Sequence, residues 1–266
     1  MIKLSFLDEL VKLTLYSSYI KGEEQPISLL ICANAESAKS ETLKKCVKLD
    51  KVLLLSDATA FEILKDHADD IIEDKVHHIL IPDLIPMVSK RWETSSSFIA
   101  FLNMLIAEGI IESCTFALHR KFKKPVKCGL IACITPSELQ DKRHRWVGQG
   151  FLSRLLPVSW SYSETTKVTI FNDILQREYR GEPVWGYKFP HKLMEVNLSS
   201  ELAGKLLPYT YQFAQAEGIY GFRYQKHLQR LAMSSAVAFG RDTVLNEDIE
   251  KVIDLSKYLN LSFTAI

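Results

Sequence analysis

Lys39 and Ser40 stand side by side in the stretch ICANAESAKSETLKKC (31–46), after an apolar run and before a helix-like segment. This spelling matches half of the phosphate-loop pattern G-x-x-x-x-G-K-[ST]. In the frame Ala33–Ser40 the Lys and Ser are kept, while Ala33 and Ala38 stand at the glycine positions. The chemistry of such a loop is anion binding: backbone amides surround phosphates, the lysine reaches the outer ones and the hydroxyl ligates Mg²⁺. Ala38, Lys39, Ser40 and Glu41 are therefore the candidate nucleotide contacts. Alanine resists φ > 0 and close backbone approach, and Glu36 would put a carboxylate in a cradle for anions. A strand–loop–helix crossover with a chance Lys-Ser accounts for the spelling equally well.

A second chemical group is Asp83, at the end of the strand-like run HHILIPDL (77–84). In phosphate-loop ATPases an Asp in this place orients Mg²⁺, so Ser40 and Asp83 form the candidate metal pair. The Glu that usually follows positions the attacking water. Leu84 cannot do that, and slow or absent turnover is expected. His77 and His78 are neighbours on one strand and face opposite ways, so they do not converge on one ion. The five cysteines (32, 46, 114, 128, 133) contain no C-x-x-C pair, and Cys128 and Cys133 border an apolar run. Buried thiols in a reducing, cytoplasmic setting are expected.

Bringing these distant positions together needs a scaffold, and the apolar patterning describes one. The runs at 27–32, 51–56 and 77–84 are short and continuous, as strands buried on both faces are. Helical spacing follows the first two, at about 39–47 and 59–72, and recurs at 95–109 between a serine cap and Gly109. Two further strand-like runs, IIESCTFAL and VKCGLIACIT, are joined by the basic loop HRKFKKP. Strands alternating with helices predict an α/β fold with a mostly parallel sheet. After Trp160 only helical spacing remains, at 165–180, 199–217, 221–239 and 246–258. The expected division is an α/β unit at 1–160 and an all-helical unit at 161–266.

Composition narrows the partners. The chain has 266 residues, 47% hydrophobic and 24% charged, with a formal net charge of +1, so a nucleic-acid surface must be a local patch. No apolar stretch approaches the length of a membrane span, and the start MIKLSFLDELVKL reads as an amphipathic helix, not a signal peptide. The dense basic run is HRKFKKPVK (119–127), with Arg120, Lys121, Lys123 and Lys124 around Phe122. KRHRW (142–146) is a second cluster, able to face a neighbour or DNA.

Taken in order, these segments resemble an AAA+ ATPase, and within that superfamily the motor of minichromosome-maintenance helicases. GFLSRLLPV resembles the arginine-finger segment of that motor. AEGIIESCTFALHRKFKKPVKCGLIACITP resembles its helix, presensor hairpin and sensor strand, and the region from about 196 to 255 resembles its helical lid. The resemblance spans about residues 25 to 257. It implies a phosphate-loop AAA+ parallel sheet flanked by helices and followed by a lid. It also implies roles: Asp83 on Mg²⁺, Thr135 sensing the γ-phosphate, Arg154 as a finger for a neighbouring subunit and Arg223 as the lid arginine, with Arg230 one helical face later. Implied cofactors are ATP and Mg²⁺. Implied partners are further copies in a ring or filament, DNA held by the 119–127 hairpin, and other replication or mobile-element proteins. A motor without a separate N-terminal DNA-binding module points to an accessory factor, a loader or a mobile-element ATPase. The competing expectation is a pseudo-ATPase scaffold without nucleotide chemistry.

Overall fold

The computed structural model describes residues 4–22, 25–114, 119–177 and 185–266. Seven strands and twelve α-helical segments are found among them. The strands are β1 (Leu29–Cys32), β2 (Val52–Leu54), β3 (His78–Ile81), β4 (Ile110–Cys114), β5 (His119–Val126), β6 (Gly129–Ile134) and β7 (Leu156–Ser159). The first eight helical segments are α1 (Ser5–Tyr16), α2 (Lys39–Lys44), α3 (Ala60–Glu62), α4 (Ala68–Ile72), α5 (Ile85–Val88), α6 (Trp92–Asn103), α7 (Pro136–Gly148) and α8 (Glu164–Leu175). Then follow α9 (Ser200–Gly204), α10 (Leu207–Glu217), α11 (Phe222–Ala238) and α12 (Asn246–Ser256).

Five strands form one parallel sheet in the order β2-β3-β6-β1-β7. The protein is thus α/β with a parallel sheet flanked by helices, an arrangement compatible with a phosphate-loop type of fold. Strand alternation divides the core in two. Leu29, Ile31, Ile131, Cys133, Leu156 and Val158 face one cluster; Leu30, Cys32, Leu130, Ala132 and Ile134 face the other. The first face is covered by α1, α11 and α12, through residues such as Leu10, Leu228, Leu231 and Ile249. The second is covered by α5, α6 and α7, with Val88, Ile99, Leu102 and Trp146. The C-terminal helices therefore share a core with α1 and the sheet, and Lys45 anchors α1 through Asp8 at 3.2 Å.

Several expectations change in detail. The basic segment 119–125 is strand, not loop: β5 pairs antiparallel with β4, and residues 115–118 between them lie outside the described residues. Apolar Phe122 and Val126 are buried among exposed lysines, which gives β5 an inner side. The ladder shifts register between Ile110 and Glu112, so β5 carries extra residues around Lys123–Pro125 and bulges there. The helix expected from Ser95 starts at Trp92, and the Ser95 hydroxyl donates instead to the Val88 carbonyl at 2.9 Å. α2 ends at Lys44, three residues early, and the segment expected at 199–217 is split, with Pro208 in the first turn of α10 where its missing N–H costs little. The end of the 165–180 helix lies partly outside the described residues; α8 runs to Leu175.

His77 and His78 have separate partners. His77 lies 2.6 Å from Asp74, whereas His78 is fully buried and donates through Nε2 to the Ile27 carbonyl at 3.2 Å. Gly129 makes room for that ring, since a Cβ there would fall 2.3 Å from His78 Cδ2. Burial, assisted by His77, pushes the His78 pKa down to about 3. An unfolded histidine titrates at 6.5, so neutral His78 adds stability that is fully present above pH 6.5 and is lost as the pH falls towards 3. The loss attributable to His78 is about 2 kcal/mol at pH 5. Urea denaturation at pH 7.5 and pH 5 is expected to show that dependence, and His78→Gln is expected to reduce it by that amount, leaving the share of buried His227, whose pKa burial also pushes down to about 3.

Candidate nucleotide site

The loop after β1, the turn after β3 and the end of β6 meet because β3, β6 and β1 are contiguous parallel strands. Their carboxyl ends lie level: Cys32 pairs with Ile134, and Ile81 with Ala132. Ligands of open α/β sheets bind beyond such carboxyl ends. Short bonds fix the three segments to one another. Ala33 N–H donates to the Ile134 carbonyl at 3.3 Å, and Leu84 N–H to that of Cys133 at 2.9 Å. The Ser40 hydroxyl donates to the Pro82 carbonyl at 2.9 Å, which brings it beside Asp83 with its own oxygen still able to accept or ligate. Thr135 closes the group as the residue preceding α7, half-exposed, with its hydroxyl 3.3 Å from that of Ser137.

The loop keeps a glycine-like backbone without glycine. Ala38 has φ 61° and Glu36 has φ 62°, both left-handed, whereas Ala33 is not among the positive-φ residues. Each such non-glycine residue costs about 1–3 kcal/mol, and strain of this kind collects at functional sites. The Glu36 side chain is exposed at the rim instead of filling the cradle. Ser37 is buried, with its hydroxyl unpartnered and its carbonyl accepting from Tyr162 Oη at 3.0 Å. Lys39 reaches back to the Asn34 carbonyl at 2.9 Å, so the loop closes on its own ammonium. Glu41, expected at the nucleotide, pairs with Lys44 at 2.7 Å on the exposed side of α2.

Charge around the loop is felt by two thiols beneath it. Burial raises the Cys32 pKa to about 12 against the pull of Lys39. Burial raises Cys133 further, with Lys39 pulling down and Asp83 pushing up. Lys39 and Asp83 thus act on one point from two loops. Asp83 is exposed, and its Oδ1 accepts from Ile85 N–H at 3.0 Å. Ser40 and Asp83 offer two hard oxygen ligands, a set that suits Mg²⁺, because that ion keeps several waters and shares the phosphates. Leu84 points the other way, into the core, at 0% exposure.

The arginines form a separate group. Arg154 precedes β7, whose residue Leu156 pairs with Leu29, so it lies at the amino end of the sheet, opposite the loop. It donates to the Gly150 carbonyl at 2.7 Å and pairs with Glu108 at 2.8 Å. Arg223, in the first turn of α11, donates to Ser153 Oγ at 2.9 Å. Both therefore belong to one surface around 150–154, and neither contacts the loop of its own chain. Arg230 is buried in α11. On the hairpin, Arg120 is paired with Asp69 and lies over Phe122, while Lys121, Lys123 and Lys124 are exposed.

Sequence reasoning missed Ser37, Asn34 and the support from Tyr162. No spelling marks a carbonyl contact made by a tyrosine 125 residues away. Two clefts, of about 380 and 370 Å³, lie away from the loop, against α6. Among the described residues, no helix is long and apolar enough to cross a membrane. Compared with known proteins, the chain matches no family model and no curated protein.

Proposed function

We propose that the chain is a nucleotide-binding protein of the AAA+ type that binds Mg·ATP with slow turnover, assembles with further copies of itself and acts on DNA. The observation that carries this reading is the convergence of Lys39, Ser40, Asp83 and Thr135 at the carboxyl ends of β1, β3 and β6, with Ser40 bonded to the residue before Asp83. Lys39 would exchange the Asn34 carbonyl for β- and γ-phosphate oxygens. Ser40 and Asp83 would hold the Mg²⁺ that accompanies ATP, and the ion would supply neutralisation of phosphate charge. Thr135 would hydrogen-bond the terminal phosphate. Thermal melting against Mg·ATP, in the wild type and in Lys39→Ala, tests the reading.

Self-association is supported by the separation of the groups. Arg154 and Arg223 cannot serve their own loop from the other end of the sheet, but a head-to-tail neighbour would bring its loop to them. Exposed apolar side chains flank that region and a different one: Tyr220 and Phe222 beside Arg223, and Val168, Phe171 and Leu175 along α8. Two unlike patches on one chain fit a heterologous contact that repeats as a ring or filament.

For DNA, the hairpin offers Lys121, Lys123 and Lys124 on an exposed, bulged strand, suited to phosphates without base readout. Replacing these three by alanine is expected to weaken binding equally for all sequences. It should also flatten the log–log salt slope by about 3, since each lost contact forgoes about one released counterion. Anisotropy titrations at three salt concentrations measure both, and an unchanged slope would return the hairpin to a purely solvated role.

The scaffold reading keeps two specific supports. Leu84 occupies the catalytic-acid position inside the core, and Lys39 is already satisfied by its own loop.

A further inference from the structure

The basic cluster KRHRW folds against a second basic-aromatic segment, Lys90-Arg91-Trp92, at the start of α6. Together they line a cleft of about 380 Å³, in which Lys90, Lys142 and Arg145 face a single carboxylate, Asp141. Lys90 and Lys142 take partners from outside the lining, Asp57 at 3.2 Å and Glu138 at 3.3 Å. Both carboxylates are partly exposed, and such pairs exchange readily for a stronger anion. Arg145 lies over the Trp92 ring, 5.5 Å from its centroid. Trp92 is nevertheless 58% exposed, while Trp146 of the basic cluster is buried against Phe151. One indole therefore builds the core and the other is presented to solvent inside a cationic cleft.

Gln149 closes one wall of the cleft by donating through Nε2 to Ser96 Oγ at 2.7 Å. Cations and an open aromatic face are two things a nucleotide unit asks for: phosphate charge and base stacking.

We propose that this cleft is a docking site for single-stranded nucleic acid, with one base stacked on Trp92 and its flanking phosphates on Lys90, Lys142 and Arg145. The volume suits one nucleotide and not a duplex, whose base faces are hidden in any case. A free nucleotide shares the chemistry, but exposed Arg91 continues the charge beyond the cleft, where only a strand has further phosphates. The site is separate from the β4–β5 hairpin and from the Lys39 loop, so it stands or falls independently of ATP binding.

The test uses the full chain with a short oligodeoxythymidylate, followed by tryptophan fluorescence and by anisotropy of a labelled strand. The strand is expected to quench wild-type fluorescence. Trp92→Ala should weaken binding by about tenfold and abolish the quench, while Trp92→Phe should retain affinity to within about threefold, because stacking needs a ring and not an indole. Trp92 is exposed, so both variants should melt with the wild type and keep any ATP-dependent shift. The Lys121, Lys123 and Lys124 alanine variant should need more strand but reach the same quench at saturation. The proposal is overturned if Trp92→Ala binds the strand like the wild type, if no strand binds at low salt, or if a duplex of equal phosphate content quenches equally. Thymidine monophosphate quenching at the same concentration as the strand would also overturn it, marking a free-nucleotide pocket.

Discussion

Leu84→Glu is expected to destabilise the protein severely and to leave it without ATP turnover, although it restores the spelling of a catalytic strand end. Leu84 is fully buried in the cluster that contains Met87, Ile99 and Ile134. Its N–H donates to the Cys133 carbonyl, which fixes the backbone and keeps the side chain aimed inward. The substitution forfeits about 2 kcal/mol of apolar burial and sets a carboxyl group among hydrocarbon side chains. Such a group stays protonated in the folded state, with its pKa raised above the unfolded value near 4.3. A raised carboxyl pKa gives a penalty that is small below the unfolded pKa and grows as the pH rises towards the folded one. The variant should therefore lose about 4 kcal/mol or more at pH 7, a fall in Tm of about 10 °C, and recover part of that near pH 4. Leu84→Met, similar in volume, should cost less than about 1.5 kcal/mol. A Leu84→Glu protein that melts with the wild type and hydrolyses ATP would mean that position 84 faces the phosphates and that a single residue limits the chemistry.

This outcome separates what was legible in the sequence from what was not. Four of the five strands of the parallel sheet were legible because they are short apolar runs, and β1, β3 and β6 were found within about three residues of their bounds, whereas β7 was not read as a strand. Their order in the sheet was not, since β6 inserts between β1 and β3 through pairings made far along the chain. That insertion is what gathers Lys39, Ser40, Asp83 and Thr135. The hairpin was half legible: the basic run hid strand β5 because apolar positions reduce there to Phe122 and Val126, and a bulge breaks their alternation. The direction of Leu84 was invisible, since a leucine after a strand-end Asp reads only as a missing acid. The left-handed Ala38 was likewise unreadable. Spelling shows that glycine is absent but not that the backbone keeps the shape glycine would have given.

That backbone makes the loop itself the place for the second large effect. Saturating Mg·ATP is expected to raise the melting temperature of the wild type, by about 2.7 kcal/mol of stabilisation at a hundred times Kd, or roughly 5–10 °C for a chain of this size. Lys39→Ala should abolish the shift and leave the unliganded protein near wild-type stability, because the bond it removes, to the Asn34 carbonyl, is exposed. Ala38→Gly should act in the opposite direction. Ala38 holds φ 61° at the head of α2, and glycine relieves that strain at the expense of added freedom in the unfolded chain, a net gain of about 1 kcal/mol. Its amide would also approach phosphates without a Cβ in the way, so nucleotide affinity should rise about fivefold. The pair of variants separates the site from its surroundings: one removes the charge that answers phosphate, and the other completes the cradle. If the wild type and Ala38→Gly both melt unchanged at saturating Mg·ATP, the Ala33–Ser40 segment is a strained crossover and nothing more. Lys39 then belongs to the loop it closes, and the scaffold reading replaces the ATP-binding one.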